Sequence, residues 1–218
     1  MIILHHLNNS RSQRILWLLE ELELVYEIKR YERDPVTQLA PDSLKKIHPL
    51  GKSPVLTDGE QVIAESGAIV EYLVGQYGTH WRPESAADQQ AYTYWLHYAE
   101  GSLMPFLLMK LVFDKVRDSP VPFFIKPIMK GIHSQVMKAF LGRNLKNNFA
   151  FIENHLAQHK WFAGPEISGA DIQMSFPLEA GLDRIRGDYP EIKSYLQRIH
   201  DRPAYQKALK AGGEYIYA

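Results

Sequence analysis

Apolar residues follow two different rhythms along this chain, and the change lies near residue 80. The chain opens on Ile2-Ile3-Leu4, a short apolar run that reads as a buried strand. From Ser10 to about Leu24, residues Ile15, Leu16, Leu18, Leu19 and Leu22 recur at helical spacing. Tyr26 to Tyr31 alternates with period two, as a half-buried strand does. Pro41 to Ile47 predicts a short helix. Val55 to Ala64 reads as a hairpin turning at Asp58-Gly59, a dipeptide suited to the tight turn. Glu65 to about Tyr77 is helical again.

That order, β-α-β-α-β-β-α, predicts a mixed sheet with helices packed on it, the thioredoxin-like layout, over residues 1–78. Residues 79–86 read as a linker. Residues 87–218 carry almost no strand signal. Ala87 to about Val116 predicts one long helix, which Ser119-Pro120-Val121-Pro122 breaks, and Pro127 limits the next element. Helical patterning resumes over 130–159. Ser168 with Asp171 has the capping-box spacing, with Asp in place of the usual Glu or Gln, and both residues are assigned to folding alone. The helix that follows, Ile172 to about Leu182, is expected at the centre of this half. Pro190 opens another, running to about His200. Val121 to Ile128 is an unusually apolar break, expected to be a hairpin tip packed on the body. The fold class is an α/β thioredoxin-like N-terminal domain followed by an all-α C-terminal domain.

Composition narrows the chemistry. The 218 residues are enough for a real core without metal or disulfide support. Formal net charge is +0, which argues against a nucleic-acid-binding protein. Cysteine is absent, so disulfides, thiolate metal sites and protein thiol nucleophiles are excluded. His5 and His6 should face opposite sides of a strand, and the other histidines are scattered, so no metal site is expected. No apolar run is long enough for a transmembrane segment, and a cytoplasmic protein is the default.

Two stretches carry the most chemical information. Gly51-Lys52-Ser53-Pro54 delivers an X-Pro bond, a candidate for the cis isomer, to the start of an apolar strand. The Ser53 backbone there could pair with an extended peptide. Glu65-Ser66 opens a helix whose free N–H groups suit a ligand carboxylate. Together they describe a cradle for a small, zwitterionic, peptide-like molecule.

Four segments in this order and spacing resemble the glutathione transferase superfamily over essentially the whole chain. They are Leu7 to Leu22, His48 to Leu56, Ala64 to Ile69, and Gly164 to Ile172. The first, with Tyr98 to Pro105, is similar to the serine-type bacterial and fungal branch. The resemblance implies a homodimer that binds glutathione as co-substrate and adds its thiolate to a hydrophobic electrophile. It points to Ser10, four residues before Arg14, as the hydroxyl that holds the thiolate, with Ser12 the alternative and Asn9 or Arg11 assisting. From local sequence alone, Ser10 reads first as a helix cap, and it is the other three segments of the resemblance that favour the thiolate role. Ser66 and Glu65 would take the γ-glutamyl end, Lys52 the glycyl carboxylate, and Ser53-Pro54 the main chain, the Ser53 side chain mattering little. Glu100 would reach the partner subunit's ligand. His6, His97, Gly101, Met104, Pro105 and Leu108 are candidates for the electrophile pocket. Two other readings stay open: a glutathione-dependent isomerase, dehalogenase or peroxidase, and a non-catalytic binding module of the same fold.

Overall fold

The structure, a computed structural model, describes residues 1–37 and 39–218. Strand β1 (Ile2–Leu7) leads into helix α1 (Ser12–Glu21), strand β2 (Tyr26–Tyr31) and the single turn α2 (Asp42–Lys45). The hairpin β3 (Val55–Asp58) and β4 (Gln61–Ala64) then runs into α3 (Ser66–Tyr77). The sheet order is β2-β1-β3-β4. β1 runs parallel to β2 and antiparallel to β3, so Ile2 lies opposite both Tyr26 and Asp58. This is the mixed sheet that the alternating pattern predicts. α1 starts two residues later than its apolar spacing implies. Asn9 takes a left-handed φ of 48°, which turns the chain before the helix can begin. α1 also ends early, because Glu23 leaves the helical region at φ 52°.

A short 3₁₀ turn, Thr79–Trp81, buries Trp81 and leads to the helical part. This part comprises α4 (Ala86–Tyr98), α5 (Met104–Arg117), α6 (Lys126–Val136), α7 (Gly142–Leu156), α8 (Gly169–Leu182), α9 (Pro190–His200) and α10 (Pro203–Gly212). The long helix expected over 87–116 is two helices joined by a π turn at Ala99–Leu103. A second π turn, Met137–Leu141, joins α6 to α7. Helix α10 was not anticipated. Its signals are present in the chain, with Pro203 in the first turn and Gly213 at φ 87° just past the end. It packs along α1.

α8 is the axis of this half, and every residue from Gly169 to Gly181 is buried. Gly169 permits that approach, since a Cβ there would sit 2.6 Å from the Tyr92 hydroxyl. The predicted box forms: the Asp171 carboxylate accepts from Ser168 N–H at 2.9 Å and from the Ser168 hydroxyl at 3.1 Å. It also accepts from Phe162 N–H at 3.0 Å and Tyr195 O–H at 3.2 Å, tying three segments together. Full burial pushes this carboxyl up to about 6 despite those donors. The hairpin tip does not pack on the body as expected. Phe123 and Phe124 are 84% and 65% exposed, and α6 has no buried residue. Among the described residues no helix is long and apolar enough to cross a membrane.

Candidate functional site

The turn from β1 into α1 sets one wall of the site. Ser10 Oγ accepts from the Ser12 N–H at 3.2 Å and lies 2.8 Å from Ser12 Oγ. Ser10 therefore satisfies a free donor at the helix start, the local role that serine residues favour. Ser12 is fully buried, with its Oγ 2.9 Å from His6 Nδ1 and 3.2 Å from the Leu7 carbonyl. Burial first, then Arg30, pulls His6 down to about 4, so the ring is neutral at pH 7. In the neutral ring, the tautomer protonated on Nε2 leaves Nδ1 to accept from the Ser12 hydroxyl. The Ser12 hydroxyl is thus engaged beneath the turn by the His6 ring and the Leu7 carbonyl. Ser10 is the hydroxyl of the two that lines an open cavity.

The second wall is the β3 turn and the start of α3. Ser53-Pro54 is cis, as expected. The Ser53 side chain is not idle, contrary to the sequence expectation. Its hydroxyl donates to the His5 carbonyl at 2.9 Å and accepts from Leu7 N–H at 3.2 Å, pinning the turn to β1. Glu65 holds a left-handed φ of 69°, an uncommon conformation for a non-glycine residue that turns the chain sharply into α3. Ser66 Oγ receives Arg14 Nη2 at 2.7 Å and Gln173 Nε2 at 3.4 Å. With both lone pairs engaged, its O–H is left to donate.

Arg14 is the hub of this arrangement. Its buried guanidinium donates to Ser66 on α3, to the Gln173 carbonyl on α8, and to Glu100 in the π turn. Arg11 Nε meets the other side of Glu100 at 3.1 Å. Burial alone would raise the Glu100 carboxyl, but Arg14 and Arg11 outweigh it and hold it below the usual carboxylate range. Glu100, expected to reach the partner's ligand, borders both this cleft and a groove between α3 and α4. Sequence reasoning used Arg14 only as a marker for Ser10 and missed this role.

Two cavities meet at Arg11 and Ser53. The smaller, about 180 Å³, is lined by Lys52, Ser53, Pro54, Glu65, Ser66 and Glu100, together with His48 and Leu50. It gathers the residues expected for glutathione except Asn9. Asn9 lines the larger cavity, where its side-chain oxygen accepts from Ile216 N–H at 2.9 Å and holds the C-terminal tail. The larger cavity, about 490 Å³, includes Ser10, Met104 and Leu108. Leu107, Leu111, Phe176 and Tyr217 complete its apolar wall and were not anticipated. The remaining electrophile-pocket candidates lie elsewhere. His6 is buried under Ser12, Pro105 is exposed and lines neither cavity, and His97 and Gly101 line a separate groove between α3 and α4. Helical spacing along 97–108 could not separate these faces, because the π turn rotates α5 relative to α4.

The family model for the N-terminal domain of glutathione S-transferases matches residues 1–75, and that for the C-terminal domain matches residues 121–203. Glutathione S-transferase 3 of Schizosaccharomyces pombe is 40% identical over 208 residues, 94% of this chain and 85% of that protein. The chain belongs to the glutathione S-transferase family. It is a glutathione transferase of the thioredoxin-like plus helical architecture. A solved glutathione S-transferase from Actinobacillus pleuropneumoniae superimposes with a TM-score of 0.82 at 37% identity, covering 99% of this chain and 94% of the other. The disulfide-bond oxidoreductase YfcG of Escherichia coli is 30% identical over 222 residues, 96% of this transferase and 94% of the relative.

Proposed function

We propose that this transferase binds glutathione in the smaller cavity and adds its thiolate to a hydrophobic electrophile held in the larger one, with Ser10 stabilising the thiolate. The observation that carries the reading is the state of the Ser10 hydroxyl. Its oxygen accepts from the Ser12 N–H, and its proton, which faces Ser12 Oγ at 2.8 Å, would turn toward a sulfur at the junction of the cavities. A free thiol has a pKa near ~8.5, so little of it is thiolate at pH 7. A hydroxyl donor and the start of α1 both favour the charged form. Ser66 O–H and the α3 N-terminus would take the γ-glutamyl carboxylate, and Glu65 its ammonium. The Ser53 backbone would pair with the main chain of the tripeptide and Lys52 with its glycyl carboxylate. In the addition, the sulfur forms a bond to the acceptor carbon, the leaving group departs with its electron pair, and no protein residue becomes attached.

Ser10→Ala tests this. A charge-assisted hydrogen bond is worth about 1.5–3 kcal/mol, so the bound thiol's pKa should rise by roughly 1–2 units. Thiolate absorbance titrated against pH on the glutathione complex reads that shift. An unchanged pKa with full turnover overturns the assignment and moves it to Ser12. The same proposal includes a homodimer, a cytoplasmic setting, and a division into 1–78, a linker 79–86 and 87–218.

The name of the Escherichia coli relative brings in one further reading, thiol-disulfide exchange. With no cysteine in this chain, both sulfurs would belong to small molecules. Bound glutathione thiolate would attack one sulfur of a disulfide and expel the other as a thiolate. A disulfide in the acceptor panel distinguishes the two activities.

A further inference from the structure

We propose that the larger cavity selects electrophiles that carry a carboxylate of their own, an inference that rests on the glutathione reading above. Four cations line this cavity, Arg11, Arg33, Lys115 and Arg184, and no aspartate or glutamate does. They come from four separate places: the start of α1, the segment after β2, α5, and the turn after α8. The positive lining is therefore a property of the assembled pocket and not of one charged run. Arg11 is matched by Glu100. Lys115 and Arg184 form no ion pair among the described residues. Arg184 instead lies over the Tyr217 ring, 5.6 Å from its centroid, which fixes its guanidinium beside the tail that closes the cavity.

Glutathione does not account for these two charges. The groups placed to meet its carboxylates, Lys52 and Ser66, line only the smaller cavity, whereas Lys115 lines the larger one and not the smaller. The thiolate contributes one negative charge at the junction, close to Arg11. The apolar wall of Leu107, Leu111 and Phe176 suits the carbon skeleton of an aryl or alkenyl electrophile. Lys115 and Arg184 would then meet a carboxylate on that skeleton. Arg184 also lines an adjoining cavity with Lys138, Lys146 and Arg186, so cations continue outward from this side and attract anions toward it, whereas Arg117 there is paired with Asp114 and Asp118.

A matched pair of acceptors tests the inference on the full-length protein: a chlorodinitrobenzoate and its methyl ester. In both, sulfur bonds to the ring carbon and chloride leaves with the C–Cl electrons, so the chemistry is shared and only the charge differs. Each rate is normalised to its uncatalysed reaction with free glutathione. The acid should be favoured in kcat/KM by about tenfold or more, and the preference should shrink as salt rises. Lys115→Met with Arg184→Met should cut the acid-to-ester ratio about tenfold, and Lys115→Glu should reverse it. Calorimetry of dinitrobenzoate, which lacks the leaving group, on glutathione-loaded protein gives a reading independent of turnover. Equal use of acid and ester, with the ratio unmoved in the variants, overturns the inference while the glutathione site stands. Loss of turnover on both acceptors together with no heat from glutathione overturns the site and the inference with it.

Discussion

Truncating Ser66 to alanine separates holding the fold from holding the ligand. In the protein its oxygen accepts from Arg14 at 2.7 Å and, more weakly, from Gln173 at 3.4 Å. Arg14 keeps Glu100 and the Gln173 carbonyl when the hydroxyl goes, so its charge stays compensated. The folding cost should therefore be that of one ordinary hydrogen bond, about 1 kcal/mol. The ligand loses more. The hydroxyl's one proton is left for a ligand in the cavity, and a bond to a carboxylate is worth roughly 1.5–3 kcal/mol, or about 10- to 150-fold in Kd. Calorimetric titration with glutathione measures the affinity, and chemical denaturation of the same sample measures the stability. kcat at saturating glutathione should fall far less than kcat/KM, since the sulfur is held elsewhere. A Kd within twofold of wild type, with stability lowered, would refute the reasoning and leave Ser66 a prop for Arg14.

Three further outcomes follow from the same geometry. Ser53→Ala removes both bonds that pin the β3 turn to β1, and should lower stability by about 1–3 kcal/mol in urea denaturation and weaken glutathione binding; no change in either would mean the turn is held without them. Glu100→Ala leaves the buried Arg14 without its counter-ion and should cost about 3 kcal/mol, the low end for a broken buried pair because Glu100 is partly exposed; a thermal midpoint equal to wild type would show that the guanidinium is compensated from elsewhere. His6 and Asp171 should pull stability in opposite directions below neutrality. His6 stays unprotonated when folded until about pH 4, so its contribution is present above 6.5 and is lost on acidification, by roughly 2 kcal/mol between pH 7 and 5. Asp171 takes up its proton at about 6 when folded but only near 3.8 when unfolded, so the same change returns roughly 1 kcal/mol. Asp171→Asn should steepen the acid loss and His6→Gln should flatten it; identical pH profiles for the two variants would contradict both assignments.

Local patterning reached most of the backbone. The alternation of Tyr26 to Tyr31 and the Asp58-Gly59 turn placed β2, β3 and β4 where they are found, because a period of two and a turn dipeptide are decided within a few residues. Where prediction slipped, a longer-range or less common device was responsible. Asn9 at φ 48° delays α1 in a way that its apolar spacing cannot report. The π turn at Ala99–Leu103 interrupts what reads as one helix, since a single widened turn leaves composition unchanged. The tip at Phe123 and Phe124 was expected to be packed because it is apolar, but only the tertiary arrangement decides whether anything covers it.

The site divides along the same line. Apart from Arg11 and Glu100, the smaller cavity is built from the turn before β3 and the start of α3, nearby stretches whose turn and helix-start chemistry can be read from the residues themselves. The larger one is built where α5, α8 and the C-terminal tail converge, and no single stretch contains its outline. Phe176 is one apolar residue in a buried helix, and Tyr217 one aromatic near the end of the chain, until folding sets their rings 5.7 Å apart. Arg14 joins the two cases. As a lone cation in an apolar helix it conflicts with the local rule that such residues avoid burial. The conflict is resolved by Ser66, Gln173 and Glu100, from three other elements. A buried arginine with partners in both halves makes the geometry of the glutathione cleft depend on how the helical part is seated. A variant that loosens α8 against α1 should then weaken glutathione affinity without touching a residue of the smaller cavity. Gln173→Ala removes the side-chain amide behind Ser66 and keeps the backbone carbonyl that holds Arg14. A rise of about threefold to tenfold in the Kd for glutathione, with the thiolate pKa unmoved, is the expected result, and an unaltered Kd would show that the seat of α8 does not set the cleft.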